Sequence, residues 1–168
     1  DGGAGTDEVT ATITNATATT GALNISNVES MELGNTGTAV LNVAGITGGT
    51  STAQTSIEIN SVAGTAASTT ISGIDAVTQK IGLGNNDLSG NAAAGTFALS
   101  LADATGTADN LTVDINEVAT ATITTSGVET LTIAASTTDT AITNSTLTLS
   151  GTNVSNIVVT GATADVGH

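Results

Sequence analysis

Apolar and polar residues alternate along this chain in short runs. In Val9-Thr10-Ala11-Thr12-Ile13, Leu111-Thr112-Val113-Asp114-Ile115 and Leu147-Thr148-Leu149 every second residue is apolar. An extended strand with that pattern has one apolar and one polar face. Clusters of Gly, Asn, Asp, Ser and Thr separate the runs at roughly ten-residue intervals, the spacing of turns in an all-β sandwich, barrel or solenoid. Proline is absent, so the turns rest on Gly and Asn, which tolerate positive φ. The Ala-rich segments at Ala66-Ala67 and Ala92-Ala93-Ala94 are short and flanked by Gly or Thr, too little for a stable helix. The pattern predicts an all-β chain.

Laying the chain over itself exposes a repeat. Thr6-Asp7-Glu8-Val9-Thr10-Ala11-Thr12-Ile13 lies over Ala108-Asp109-Asn110-Leu111-Thr112-Val113-Asp114-Ile115. Ser26-Asn27-Val28-Glu29-Ser30-Met31-Glu32-Leu33 lies over Ser126-Gly127-Val128-Glu129-Thr130-Leu131-Thr132-Ile133, with Ser72-Gly73-Ile74-Asp75-Ala76-Val77 as a weaker copy between them. A fourth echo, Ser155-Asn156-Ile157-Val158-Val159, has no acid. The shared form is Ser, then Gly or Asn, then Val or Ile, then an acid, then a strand. The period predicts a first β repeat unit at 1–103 and a second, shorter one at 104–168, within a segment of a larger chain.

Glu29 and Glu129 share strand parity with the apolar residues that follow them. A carboxylate on an apolar face costs several kcal/mol unless it is paired, hydrogen-bonded or bound to a metal, roughly by the price of burying a charge. Three roles stay open for these acids: a turn residue accepting backbone N–H bonds, a cation ligand, or half of a buried pair.

Composition narrows the architecture and the chemistry. Phe97 is the one aromatic residue, so the core rests on Val, Ile, Leu and Ala. Each such side chain contributes about 1.5–3 kcal/mol when buried, and many small repeated contacts favour a β-solenoid, a parallel β-helix-like stack of short strands. Tandem β-sandwich domains are the alternative. Fifteen carboxylates face a single lysine, Lys80, for a formal charge of −14. No basic patch can form for nucleic acid or an anionic membrane, and no apolar run is long enough to insert in a membrane as a helix. An acidic surface attracts cations, and calcium is the abundant divalent ion outside cells. Cysteine is absent, which rules out disulfides and zinc–thiolate sites.

Gly2-Gly3-Ala4-Gly5-Thr6-Asp7-Glu8-Val9 fits the G-G-x-G-x-D-x-U nonapeptide, U being a large apolar residue. It resembles the RTX calcium-binding β-roll. The resemblance implies Asp7 as carboxylate ligand, Gly3 and Gly5 as carbonyl donors and Val9 as a core residue. Gly82-Leu83-Gly84-Asn85-Asn86-Asp87-Leu88 and Gly106-Thr107-Ala108-Asp109-Asn110-Leu111 are looser matches that offer Asp87 and Asp109. Glu29 and Glu129 are weaker metal candidates. True β-rolls run the nonapeptide in tandem, whereas one strict copy stands here.

With its Ala/Thr/Gly/Asn-rich composition and the Gly127-to-Ile133 strand motif, the chain also looks like the secreted surface-layer proteins of Gram-negative bacteria and, more loosely, giant RTX adhesins. Those families imply secretion to the cell surface, calcium-dependent folding and self-assembly, with copies of the chain as partners. Extracellular calcium modules bind at roughly 10⁻⁴–10⁻³ M, so millimolar calcium adds only about 0.4–1.4 kcal/mol per site. Several sites, or sites between subunits, would be needed for an assembly switch.

The expectation is a structural, self-assembling extracellular subunit of a surface layer, sheath or filament, stabilised by calcium. An RTX-type adhesin module for a cell-surface or glycan ligand is the alternative. Enzymatic chemistry is not expected: the single histidine is the terminal His168, and no Trp or Tyr offers a sugar platform. Thr10/Thr12, Thr120/Thr122 and Thr146/Thr148 raise an ice-binding reading, but their irregular sequence spacing argues against a regular threonine ladder. Lys80 reads as an exposed strand residue discouraging edge pairing.

Overall fold

The computed structural model describes residues 2–13, 17–22, 24–28, 30–35, 38–47, 55–61, 68–77, 79–83, 93–115, 118–135 and 146–161. The strands in chain order are β1 (Glu8–Ile13), β2 (Thr17–Ala22), β3 (Ile25–Ser26), β4 (Ser30–Asn35), β5 (Thr38–Asn42), β6 (Ile46–Thr47), β7 (Thr55–Ser61) and β8 (Ser68–Ile74). There follow β9 (Gln79–Leu83), β10 (Ala93–Leu101), β11 (Asn110–Ile115), β12 (Val118–Ser126), β13 (Thr130–Ala135), β14 (Thr146–Gly151) and β15 (Asn156–Gly161). No helix occurs among the described residues.

The chain alternates between two sheets. One has seven strands in the order β1-β4-β7-β9-β11-β13-β15, the other six in the order β14-β12-β10-β8-β5-β2. The short β3 and β6 pair beside them. Every pairing is parallel. Sequential strands in different sheets, each pairing with the strand one coil away, make a β-solenoid, as the pattern predicts. The parallel ladders rule out tandem antiparallel sandwiches. The sheets continue across position 103/104, where β9 pairs with β11 and β10 with β12.

Period-two alternation now has a spatial meaning. Inward residues of the seven-stranded sheet stack in rows: Met31, Ile81, Val113 and Ile133 occupy one line of the ladder and are buried. Leu111 and Leu131 form another. The six-stranded sheet answers with Ala39, Thr69, Phe97 and Ile123 in one row and Leu41, Ile71, Leu99 and Thr125 in the next. Phe97, the largest core side chain, fits between Thr69 and Ile123. Val9 packs half-buried against this core.

The Ser-Gly/Asn-Val/Ile-acid motif is the corner of a coil. Its second residue has positive φ at the three copies that carry an acid in the sequence: 53° at Asn27, 74° at Gly73 and 68° at Gly127. Its third residue, Val28, Ile74 or Val128, is buried. The left-handed residue turns the chain so that the next side chain plugs the corner of the core. Gly127 is required twice over: a Cβ there would strike the Ala104 Cβ, and L-residues take this conformation at a cost of about 1–2 kcal/mol.

Three sequence expectations need correction. First, the copies about a hundred residues apart are corners and strands of one stack, two residues out of step along it. Following the ladder, Met31 lines up with Ile133, not Leu131, and Val9 with Val113, not Leu111. Second, the fourth echo lies three residues earlier than its serine suggests. Asn156 pairs with Thr130, so Val154 takes the corner position of Val128 and Ser155 that of Glu129. Third, Lys80 guards no edge: β9 lies inside its sheet between β7 and β11, and Lys80 is half-buried.

Candidate functional site at the acidic corner

Among the described residues, Asp7, Asp75, Asp109 and Glu129 precede strands of the seven-stranded sheet, so the winding of the chain brings them to one edge of the solenoid. The backbone there forms its own ladder. The Asp109 carbonyl accepts from the Glu129 and Thr130 N–H groups at 2.9 and 3.1 Å, and the Glu129 carbonyl accepts from Ser155 and Asn156 at 2.9 and 3.0 Å. At the other end of the stack the Asp7 carbonyl accepts from the Ser30 N–H at 3.2 Å.

The side chains of Asp109 and Glu129 are bound into this corner. Glu129 Oε2 accepts the Asp109 backbone N–H at 2.9 Å, and Asp109 Oδ2 accepts the Gly106 N–H at 3.1 Å. Both residues are half-buried. Of the three roles open for Glu129, the turn residue that accepts a backbone N–H and fixes the register of neighbouring coils is the one this geometry displays. A carboxylate acceptor suits an amide that the curve of the chain leaves without a strand partner.

Asp7 lies apart from this pair. Three strands, β4, β7 and β9, separate β1 from β11, so Asp7 and Asp109 stand about 19 Å apart at the usual strand spacing and cannot share one ion. Gly3 and Gly5 are exposed in the turn before β1, with φ of 87° and 143°. Val9 follows on the first strand, as the β-roll resemblance implies. Glu29 and Asp87 lie outside the described residues. Among the described residues no three acidic, His or Cys side chains gather closely enough to hold a metal ion. Any calcium at Asp7, Asp109 or Glu129 would therefore draw most of its ligands from carbonyls, hydroxyls and water, which calcium accepts.

The polar residue most deeply built into a corner is one that motif reading passed over. Gln79, at 3% exposure, occupies an inward position where the next coil has Leu111. Its Nε2 donates to the Val43 and Ile46 carbonyls at 3.0 and 2.9 Å. Its Oε1 accepts the Asp75 N–H at 3.0 Å, while its own N–H donates to the Asp75 carbonyl at 2.7 Å. Gln79 thus closes the Asp75 turn and fastens it to the corner of the preceding coil. The signal was present as parity: Gln79, Ile81 and Leu83 share one strand face.

The opposite sheet carries a different surface. Its outward residues Thr38, Ser68, Thr96, Thr122 and Thr148 stand in one register row. The row beside it runs Val40, Thr70, Ala98, Thr124 and Ser150. Thr120/Thr122 and Thr146/Thr148 fall side by side. Their unequal sequence spacing reflects loops of unequal length and leaves the ladder regular, which overturns the spacing argument. Thr10/Thr12 belongs to the other sheet.

Compared with family models, with curated proteins and with solved structures, the chain finds no match.

Proposed function

We propose that the chain is a structural, self-assembling segment of an extracellular surface layer, sheath or filament, extended by copies of itself that continue the solenoid end to end. The observation that carries this reading is the face beyond the last described coil. On β15 the apolar Ile157 and Val159 are 51% and 58% exposed. Ile157 joins Leu131, Leu149 and Val154 in lining a hollow of about 190 Å³ that Ser150 and Gly151 complete. Among the described residues, β15 and β14 there, and β1 and β2 at the other end, are the outer strands of their sheets. An outer parallel edge recruits another strand, and a head-to-tail contact between unlike ends propagates as a filament.

Secretion, the surface-layer kinship and calcium belong to the same reading. They are supported by composition, by the Gly3-Gly5-Asp7 turn and by the net charge of −14, which opposes association until cations screen it. The test is sedimentation and electron microscopy of the purified chain in millimolar calcium and in chelator. Assemblies that form in calcium and disperse in chelator are expected, as is their loss in an Ile157→Lys/Val159→Lys variant with an unaltered circular dichroism spectrum. A chain that stays monomeric in calcium while binding cells or glycans is an adhesin module instead.

A further inference from the structure

The charges of this molecule are distributed unequally between its two sheets. Of the seven-stranded sheet's strands, β1 carries Glu8, β4 Glu32, β7 Glu58, β9 Lys80 and β11 Asp114. The six strands of the other sheet carry no ionisable residue at all. The flanking acids Asp75 and Asp103 stand in turns. In a chain of charge −14, one whole sheet face is neutral.

We propose that the outer face of the six-stranded sheet is the lateral contact between copies of this chain, two such faces packing against each other about a twofold axis. The inference rests on the self-assembly reading and names its second interface. Charge selects the face: two copies repel wherever carboxylates meet, and like charges brought together across an interface are a main device against wrong pairing. Of the two large sheets, only this one lets two copies approach without placing strand carboxylates opposite one another.

Shape agrees with charge. The row from Thr38 to Thr148 is made of small, mostly β-branched side chains in register, and the adjacent row mixes methyl and hydroxyl groups. Identical rows of short side chains at one constant strand spacing can interdigitate, as in the dry interfaces between stacked sheets. The hydroxyls can hydrogen-bond across the contact or to one another.

Area sets the order of events. Six strands at about 4.8 Å, with about five shared residues each, make a face of roughly 29 by 17 Å, or about 500 Å² per copy. Two such faces bury about 1,000 Å² in all, the lower limit for a specific interface. Lateral pairing is therefore weak for single copies and accumulates along an end-to-end stack, whose rows continue from one copy to the next.

The experiment places a charge on the face and, as control, on the opposite sheet. Thr96 and Thr124 are exposed on the neutral face, and Thr132 lies on the outer side of β13. Assemblies of the unaltered chain, of Thr96→Glu/Thr124→Glu and of Thr132→Glu are compared by electron microscopy and analytical ultracentrifugation, with melting curves to establish folding. The expected result is laterally paired stacks for the unaltered chain and for Thr132→Glu. The double variant should give stacks of single width, with a lateral dissociation constant raised at least tenfold and an unchanged melt. If end-to-end stacking fails altogether, a weak dimer abolished by Thr96→Glu/Thr124→Glu still supports this interface while removing the filament reading. Pairing that survives the double variant, or that Thr132→Glu alone destroys, overturns the inference. So does an unaltered chain that never pairs but arrests ice recrystallisation, which would give the face to ice.

Discussion

The two sheets share one core and one winding, yet two polar side chains buried in their inward rows, Gln79 in one and Thr125 in the other, stand under opposite conditions. In the seven-stranded sheet Gln79 has its amide groups engaged by Val43, Ile46 and Asp75. In the six-stranded sheet the buried Thr125 Oγ1 has no hydrogen-bond partner among the described residues, in a row otherwise filled by Leu41, Ile71 and Leu99. Outwardly the contrast runs the other way, the first sheet bearing charge and the second none. A solenoid separates these tasks because successive residues of a strand point to opposite faces. The inside of each coil is constrained by stacking, and each outer face is left to be specified independently.

Substitutions that act on one sheet at a time test this contrast. The largest effect is expected at Ile123, buried in the six-stranded sheet with paired strands on both sides. Ile123→Ala should lower stability by about 3–4 kcal/mol in denaturant titration, the range for a large-to-small change in a packed core. Gln79→Leu follows in the seven-stranded sheet. It matches Leu111 in the neighbouring coil but strands two carbonyls and an N–H, and should cost about 3 kcal/mol even after the gain in apolar burial. A neutral result there would mean that the corner does not depend on Gln79.

Thr125→Val should have the reverse sign. It keeps the shape and removes a hydroxyl that is buried without a partner, so stability should rise by about 1 kcal/mol. If Thr125→Val destabilises as Gln79→Leu does, the two inward polar positions are alike and the contrast fails.

The smallest effect concerns the exposed turn after β10. Asp103 Oδ1 accepts from Thr105 Oγ1 at 2.7 Å and from the Thr105 N–H at 3.1 Å. The side-chain bond first, and the backbone bond second, hold its carboxyl below the ordinary 3.8. A carboxyl whose folded value is depressed contributes stability above its unfolded value and loses it as pH falls through the folded one. The melting difference between the unaltered chain and Asp103→Asn should thus be small at neutral pH and vanish as pH drops below about 3.8.

Much of this architecture was legible in the sequence because stacking writes itself as short alternating runs and recurring corners. The motif marks the corner at Val128 and Glu129, though the structure alone shows which of the three open roles Glu129 takes. The register was not legible, because loops of different length lie between coils. Only pairing shows that Met31 stands in line with Ile133, or that Thr96, Thr122 and Thr148 form one row. Of the candidate site, the sequence singled out Asp109 and Glu129 separately; it could not show that they meet, that backbone amides engage both carboxylates, or that Asp7 lies several strands away. Gln79 escaped because a polar residue on an apolar face needs a partner from a distant coil, and Val43 and Ile46 are not visible from its neighbours.

The central claim, that copies of this chain continue one another's solenoid, is tested most directly by diffraction from aligned assemblies grown in millimolar calcium. End-to-end stacking places the strand spacing of about 4.8 Å along the long axis of the assembly, as a meridional reflection. The same spacing perpendicular to that axis, or a chain that sediments as a monomer under those conditions, would contradict it.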